Sequence, residues 1–136
     1  MMIKKIVIDG NDGTGKTYRI EQLKKLFPGI EFQDRGIFSK STLIEELFEP
    51  EPKGLKYLFK CTPRERFINT IKSHPDTLYI ILWATPETCQ KRIQERGDSI
   101  EEEYHTIADL SKFNLRFKTL VEYVKNLPNV MYICTD

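Results

Sequence analysis

Gly10-Asn11-Asp12-Gly13-Thr14-Gly15-Lys16-Thr17 decides the reading of this chain. It follows the apolar run Ile3 to Ile8, broken only by Lys4 and Lys5, which suits a central parallel strand. After it, Ile20, Leu23, Leu26 and Phe27 recur at helical spacing with Lys24 and Lys25 on the wet side, until Pro28-Gly29 ends the pattern. Strand, glycine loop and helix are the setting that G-x-x-x-x-G-K-[ST] requires. Gly10, Gly13 and Gly15 let the backbone turn and let the amides of Asn11, Asp12 and Thr14 approach phosphate oxygens. Lys16 brings a positive charge to the β- and γ-phosphates, Thr17 offers a hydroxyl to a magnesium ion, and the helix directs its positive end at the same anion.

Working outward, 136 residues suffice for one domain, spanning 1–136, and are too few for two. With 40% apolar and 30% charged residues the composition is that of a globular protein. No apolar run approaches the about 20 residues that span a bilayer, so no membrane association is expected. Met1 to Lys5 leads straight into the first strand without a signal peptide. Cys61, Cys89 and Cys134 are odd in number and lack metal spacing, so they read as reduced packing thiols of a cytoplasmic protein, host cytoplasm if the source is viral. A net charge of +1 supplies no global attraction to nucleic acid or membrane. Locally, Lys53, Lys56, Lys60, Arg64, Arg66 and Lys72 face one acid, Glu65. That segment reads as a solvated helix face, the sharper alternative being a surface that meets a phosphate-bearing acceptor.

The remaining pattern alternates strands and helices. Ile30 to Gln33 reads as a second strand, and Ser39 to Phe48 as a helix with Leu43, Ile44, Leu47 and Phe48 on one face. Pro50 to Gly54 is a linker rich in breakers. Thr62-Pro63-Arg64-Glu65 and Thr85-Pro86 start helices, and Ser99 to Glu102 has the form of another capping box. Leu78 to Trp83 is a buried strand, Ile107 to Val124 a long amphipathic helix and Val130 to Cys134 a last strand. The alternation predicts an α/β fold of three layers, the P-loop NTPase architecture, with a small, mostly parallel sheet of about four strands and helices on both faces. Ligands of such sheets sit beyond the carboxyl ends of the strands, where the glycine loop lies.

Four features converge on that edge. The loop is the first. Asp12 within it is a carboxylate beside bound phosphate: it orients an acceptor hydroxyl or takes its proton, holds a metal-bound water, or only caps the helix and faces water. Asp34-Arg35 follows the second strand, where Asp34 is placed to reach magnesium or the acceptor and Arg35 to fork an acceptor phosphate; a plain surface turn is the alternative. Arg92 and Arg96, four apart, share one helix face and either neutralise a transferring phosphoryl group or complement the helix dipole. His74 and His105 have no partner nearby in sequence, and Trp83 reads as core.

Ile8 to Thr17 resembles the loop of thymidylate kinases, in which an Asp stands two positions after the first Gly and a Gly follows. Asp34-Arg35 with Ser39 is similar to that family's Asp-Arg-x-x-x-Ser region, with slightly different spacing. Thr77 to Asp98 resembles its late strand, Pro-Glu helix and Arg-x-x-x-Arg-Gly lid. The resemblance implies a shortened, phage-type kinase that moves a phosphoryl group from ATP, with magnesium, to a deoxynucleotide-type acceptor. It places ATP and magnesium on Lys16 and Thr17, the acceptor sugar on Asp12, the acceptor phosphate on Arg35, and Arg92 and Arg96 over the ATP. The chain is markedly shorter than the family's members, and what is missing between the first helix and Asp34 holds part of their acceptor pocket. A trimmed site fits a minimal kinase of free deoxynucleoside monophosphates, or one that phosphorylates the hydroxymethyl group of 5-hydroxymethyluracil in phage DNA. A regulatory nucleotide-binding module without an acceptor is the rival from a different class. A homodimer stays open.

Overall fold

The computed structural model describes residues 2–50, 60–97 and 106–136. Four strands, β1 (Lys5–Gly10), β2 (Glu31–Asp34), β3 (Thr77–Trp83) and β4 (Val130–Cys134), form one sheet in the order β2-β1-β3-β4. Every pairing is parallel, with Ile8 opposite Asp34 and Ile80, and Gly10 opposite Leu82. The continuous apolar runs of β1 and β3 explain their central places: Ile6, Val7, Ile8, Tyr79, Ile80, Ile81 and Leu82 are all buried. The strand β1 runs two residues beyond the apolar run, because Asp9 and Gly10 still pair with Ile81 and Leu82. The chain moves from β1 outward to β2 and then returns past β1 to β3, so the carboxyl edge of β1 is a topological switch point.

Helices lie on both faces. On one, α1 (Lys16–Leu26) packs Ile20 and Leu23 against Ile6, Ile8, Ile80 and Leu82. Among the described residues it is the only helix in that cluster, and a groove of about 720 Å³ is left between Leu23 and Leu26 on one side and Met131 and Ile133 on the other. On the other face, α2 (Ile37–Ser41), α3 (Pro63–Lys72) and the long last helix, α5 (Ile107–Val124), enclose the main core. Phe38 and Phe67 meet there edge to face with centroids 5.2 Å apart. A fourth helix of full length, α4 (Pro86–Glu95), joins β3 to the loop edge and packs Cys89 and Ile93 against Leu110. The expected caps at Thr62 and Thr85 are present, Thr106 caps α5 as well, each accepting the N–H three residues on, and Gly97 closes α4 at φ 71°.

Residues 39–48 do not form the continuous helix that their apolar spacing predicts. The α2 helix stops at Ser41, and a 3₁₀ turn follows at Glu45–Phe48. The break begins at Leu43, whose N–H bonds the Lys40 carbonyl rather than that of Ser39, and Ile44 likewise bonds Ser41, while the Ser39 carbonyl accepts from Thr42 Oγ1 at 2.6 Å. Arg116 of α5 fastens the turn that follows, its Nη1 donating to the Thr42 carbonyl at 2.6 Å. The guanidinium then lies over Phe48, 4.7 Å from the ring centroid, while Nη2 pairs with Glu45 at 2.6 Å. Leu43 and Ile44 turn outward in consequence, at 71% and 43% exposure, and Leu47 alone of that face is fully buried. The cysteine expectation also divides. Burial pushes the Cys89 thiol up to about 11, as suits an inert packing group, whereas Cys61 and Cys134 are exposed. Trp83 is half-buried and stacks on Tyr132. The proposed capping box at 99–102 and most of the 50–54 linker lie outside the described residues. So does 53–59 of the basic segment; within its described part, Arg64 lies over the Tyr123 ring at 4.3 Å.

Replacing Arg116 with Ala should destabilise the protein by about 2 kcal/mol, because the Thr42 carbonyl loses a charged donor and Phe48 loses its cover. Chemical denaturation checks this, and an unchanged midpoint would show that Arg116 does not fasten this turn.

Candidate functional site

The loop between β1 and α1 is shaped by close approach. A Cβ on Gly10 would stand 2.3 Å from the Leu82 carbonyl oxygen, and one on Gly13 would stand 2.5 Å from that of Cys89. Both positions therefore exclude any side chain, since the backbone of β3 or α4 cannot retreat. The loop is also laced internally. Thr14 Oγ1 donates to the Asn11 carbonyl at 2.7 Å, and the Asn11 amide donates to the Leu110 carbonyl at 3.0 Å and to Asn114 at 2.9 Å. Lys16 folds back across it, with Nζ at 3.1 Å from the Gly10 carbonyl and 2.8 Å from that of Asn11. An ammonium centred over the loop and 7% exposed is a ready counter-charge for an anion.

The helix α1 differs from the other long helices. Helices α3, α4 and α5 each begin with a Thr cap and carry an acid in the first turn. Helix α1 begins at Gly15, at φ 85°, with no side-chain cap and no acid. Its first-turn N–H groups and the positive end of its dipole thus meet no side chain that competes with an anion. Thr17 is exposed at that end and lines the same cleft.

Asp12 and Arg35 form an ion pair at the centre of the edge, with Lys16 3.9 Å from the same carboxylate oxygen. The pair lines two clefts of about 440 Å³ each. On the loop side stand Gly13, Gly15, Lys16, Thr17, Asp34, Arg92 and Arg96. On the far side stand Ser39, Lys40 and Thr42 with an apolar wall of Leu43, Leu110, Phe113 and Phe117. Arg35 holds φ 65°, the left-handed region that side chains avoid, and is the only non-glycine at positive φ among the described residues. It is anchored there by its N–H on the Ile8 carbonyl at 2.9 Å, which continues the β1–β2 ladder and swings the side chain towards Asp12.

Sequence reasoning overlooked Asp9. It ends β1, is fully buried, and accepts from Gly10 N, Gly36 N and Ser39 N at 3.0 Å each, as well as from Ser39 Oγ. These donors replace the water a buried carboxylate loses, and they clamp the turn after β2 onto the loop. The available signal was an acid closing an apolar strand directly before the glycines. Asp34 is exposed on the loop-side cleft. Arg92 is directed at the loop backbone, with Nη1 3.1 Å from the Gly13 carbonyl, while Arg96 is exposed at the end of α4.

No group of three or more His, Cys, Asp and Glu that could hold a metal ion occurs among the described residues. No helix among them is long and apolar enough to cross a membrane. Neither a family model nor a curated protein matches the chain.

Burial holds the Lys16 ammonium below its ordinary value of 10.5, and the Arg35 charge adds to this; Asp12, Asp34 and Asp9 oppose it. The ligand-free protein therefore begins to lose this proton at lower pH than an ordinary lysine would. An arriving anion favours the charged form, so binding should take up a proton on the alkaline side, and affinity should fall as pH rises through the depressed value. Calorimetric titration with tripolyphosphate above pH 8, in two buffers of different ionisation enthalpy, should show that uptake; zero uptake would contradict it. Replacing Arg35 with Gly removes both the strained φ and an ion pair whose arginine is half exposed, so stability should stay within about 1 kcal/mol of the parent. A larger fall in thermal unfolding would show that the pair is structural rather than functional.

Proposed function

We propose that this chain is an ATP-dependent kinase that phosphorylates a deoxynucleotide-type acceptor, most simply a deoxynucleoside monophosphate. The observation that carries the proposal is the placing of Asp12 and Arg35 between two clefts of matching size. A phosphoryl donor on the loop side and an acceptor on the far side would meet at this pair. The far cleft suits the acceptor because Leu43, Leu110, Phe113 and Phe117 give a base an apolar wall, while Arg35 and Lys40 offer charge to its phosphate.

In this reading the loop amides and the α1 N-terminus take the β- and γ-phosphates, and Lys16 exchanges the Gly10 and Asn11 carbonyls for phosphate oxygens. Thr17 and Asp34 are the residues that would hold magnesium, a cation whose charge draws electron density from the phosphoryl oxygens. Its fit rests on a hydroxyl and a carboxylate sharing the loop-side cleft, which suffices for an ion that keeps waters and substrate phosphates as its other ligands. An acceptor oxygen attacks the γ-phosphorus, the bond from that phosphorus to the β-bridging oxygen breaks, and ADP leaves. An ionised acceptor phosphate has no proton to lose, so Arg35 only orients it. A hydroxyl acceptor would hand its proton to Asp12. Arg96 supplies charge to the transferring group from the rim of the cleft.

Label from [γ-³²P]ATP should appear in deoxynucleoside monophosphates, and Lys16→Ala should reduce transfer about a hundredfold or more. Full activity in that variant, or no association of the parent with ATP and magnesium, would overturn the proposal. Label entering only duplex DNA that contains 5-hydroxymethyluracil would shift the acceptor to a base in the polymer. Turnover indifferent to every acceptor would favour a regulatory nucleotide-binding module.

A further inference from the structure

The loop that faces the phosphates is held from behind by two residues far from it in sequence. Arg92 Nη1 donates to the Gly13 carbonyl at 3.1 Å and to Thr135 Oγ1 at 3.0 Å, and Nη2 donates to the Thr135 carbonyl at 2.6 Å. Thr135 Oγ1 in turn lies 2.9 Å from the Thr14 carbonyl and 3.4 Å from that of Trp83. A hydroxyl has one proton to give, and the shorter contact takes it. Thr135 is therefore a relay: it accepts from the guanidinium and donates to the loop. Its own place is set by the sheet, since its N–H continues the β4 ladder onto the Trp83 carbonyl at 2.8 Å.

The consequence follows from peptide planarity. In a trans peptide the carbonyl of one residue and the N–H of the next point in opposite directions. With no cis peptide among the described residues, a Gly13 carbonyl held by Arg92 turns the Thr14 N–H away from the clasp. A Thr14 carbonyl held by Thr135 does the same for the Gly15 N–H. We propose that Arg92 and Thr135 are positioning residues of the phosphate loop, which aim the Thr14 and Gly15 amides by fixing the carbonyls before them. The inference rests on the loop being a phosphate site, and it gives Arg92 a part other than neutralising the transferring group. A guanidinium whose nitrogens are divided among three protein oxygens acts through the backbone it holds. The dipole of α4 does not account for this, because Arg92 reaches past its own helix to Gly13 and Thr135.

Thr135→Val keeps the shape of the side chain and removes the relay, Thr135→Ser keeps the hydroxyl, and Arg92→Lys replaces the fork by a point charge. Two readouts separate the clasp from the kinase reading. In the ligand-free protein, the amide signals of Thr14 and Gly15 in nitrogen-15 NMR spectra should shift or broaden in Thr135→Val and Arg92→Lys, and return in Thr135→Ser. Affinity for inorganic tripolyphosphate should fall about fivefold to tenfold in the first two variants and recover in the third. ATP should lose the same factor, because the loss concerns phosphate alone. Loop amides that do not move, unchanged tripolyphosphate affinity, or a loss that serine fails to restore would overturn the clasp. If Thr135→Val does not fold, Arg92→Lys against the parent decides by the same two measurements. A parent that binds no tripolyphosphate would overturn the phosphate reading, and the amide signals would then decide the clasp by themselves.

Discussion

Parallel pairing of β1 with both of its neighbours is the constraint on which the rest of the molecule depends. It brings the carboxyl ends of β1, β2 and β3 to one edge, and with them Gly10, Asp34 and Trp83. Residues that are distant along the chain then meet within hydrogen-bond reach. Asp9 can clamp Gly36 and Ser39 only because Ile8 stands opposite Asp34. Arg35 reaches Asp12 for the same reason, its backbone being the next step of that ladder. The fourth strand completes the edge, since Thr135 at its end contacts both the loop and Arg92.

This edge concentrates charge in a small, partly buried space, and the geometry answers each charge with a partner. Asp9 is surrounded by amide donors and a hydroxyl. Lys16 rests on two carbonyls and lies near Asp12, and Asp12 is paired with Arg35. Carbonyl oxygens are weaker partners for an ammonium than phosphate oxygens are, so the resting arrangement of Lys16 is one that an anion displaces at small cost. The strained backbone of Arg35 belongs to the same logic. A left-handed residue persists where the surrounding ladder over-determines it, and here the reward is a guanidinium aimed at the boundary between two clefts.

Much of this was legible in the chain. The strand, glycine loop and helix were readable because each obeys a local rule: an apolar run, a spacing of glycines, a 3.6-residue period. The helix starts at Thr62 and Thr85 were equally local, each marked by the proline that follows. What escaped was not a matter of period. Apolar spacing within Ser39 to Phe48 hid a break at which Thr42 turns its hydroxyl back onto the Ser39 carbonyl and Arg116 of α5 fastens the turn that follows. Asp9 went unread because most of the donors that give it weight come from the turn after β2. Cys61 and Cys134 were read as packing residues, yet they lie where the chain reaches the surface.

The amino-acid sequence by itself determined the loop, its flanking strand and helix, and the alternation that yields a parallel α/β sheet, because these depend on the conformational freedom of glycine and on periodic burial within a few turns of chain. Tertiary structure alone decided which charges meet. The Asp12–Arg35 boundary, the clamp around Asp9 and the clasp of Arg92 and Thr135 each join groups that only sheet register brings together. Hydrogen bonds act over about 3 Å, and no pattern along a chain specifies a distance of that kind between residues brought together only by folding.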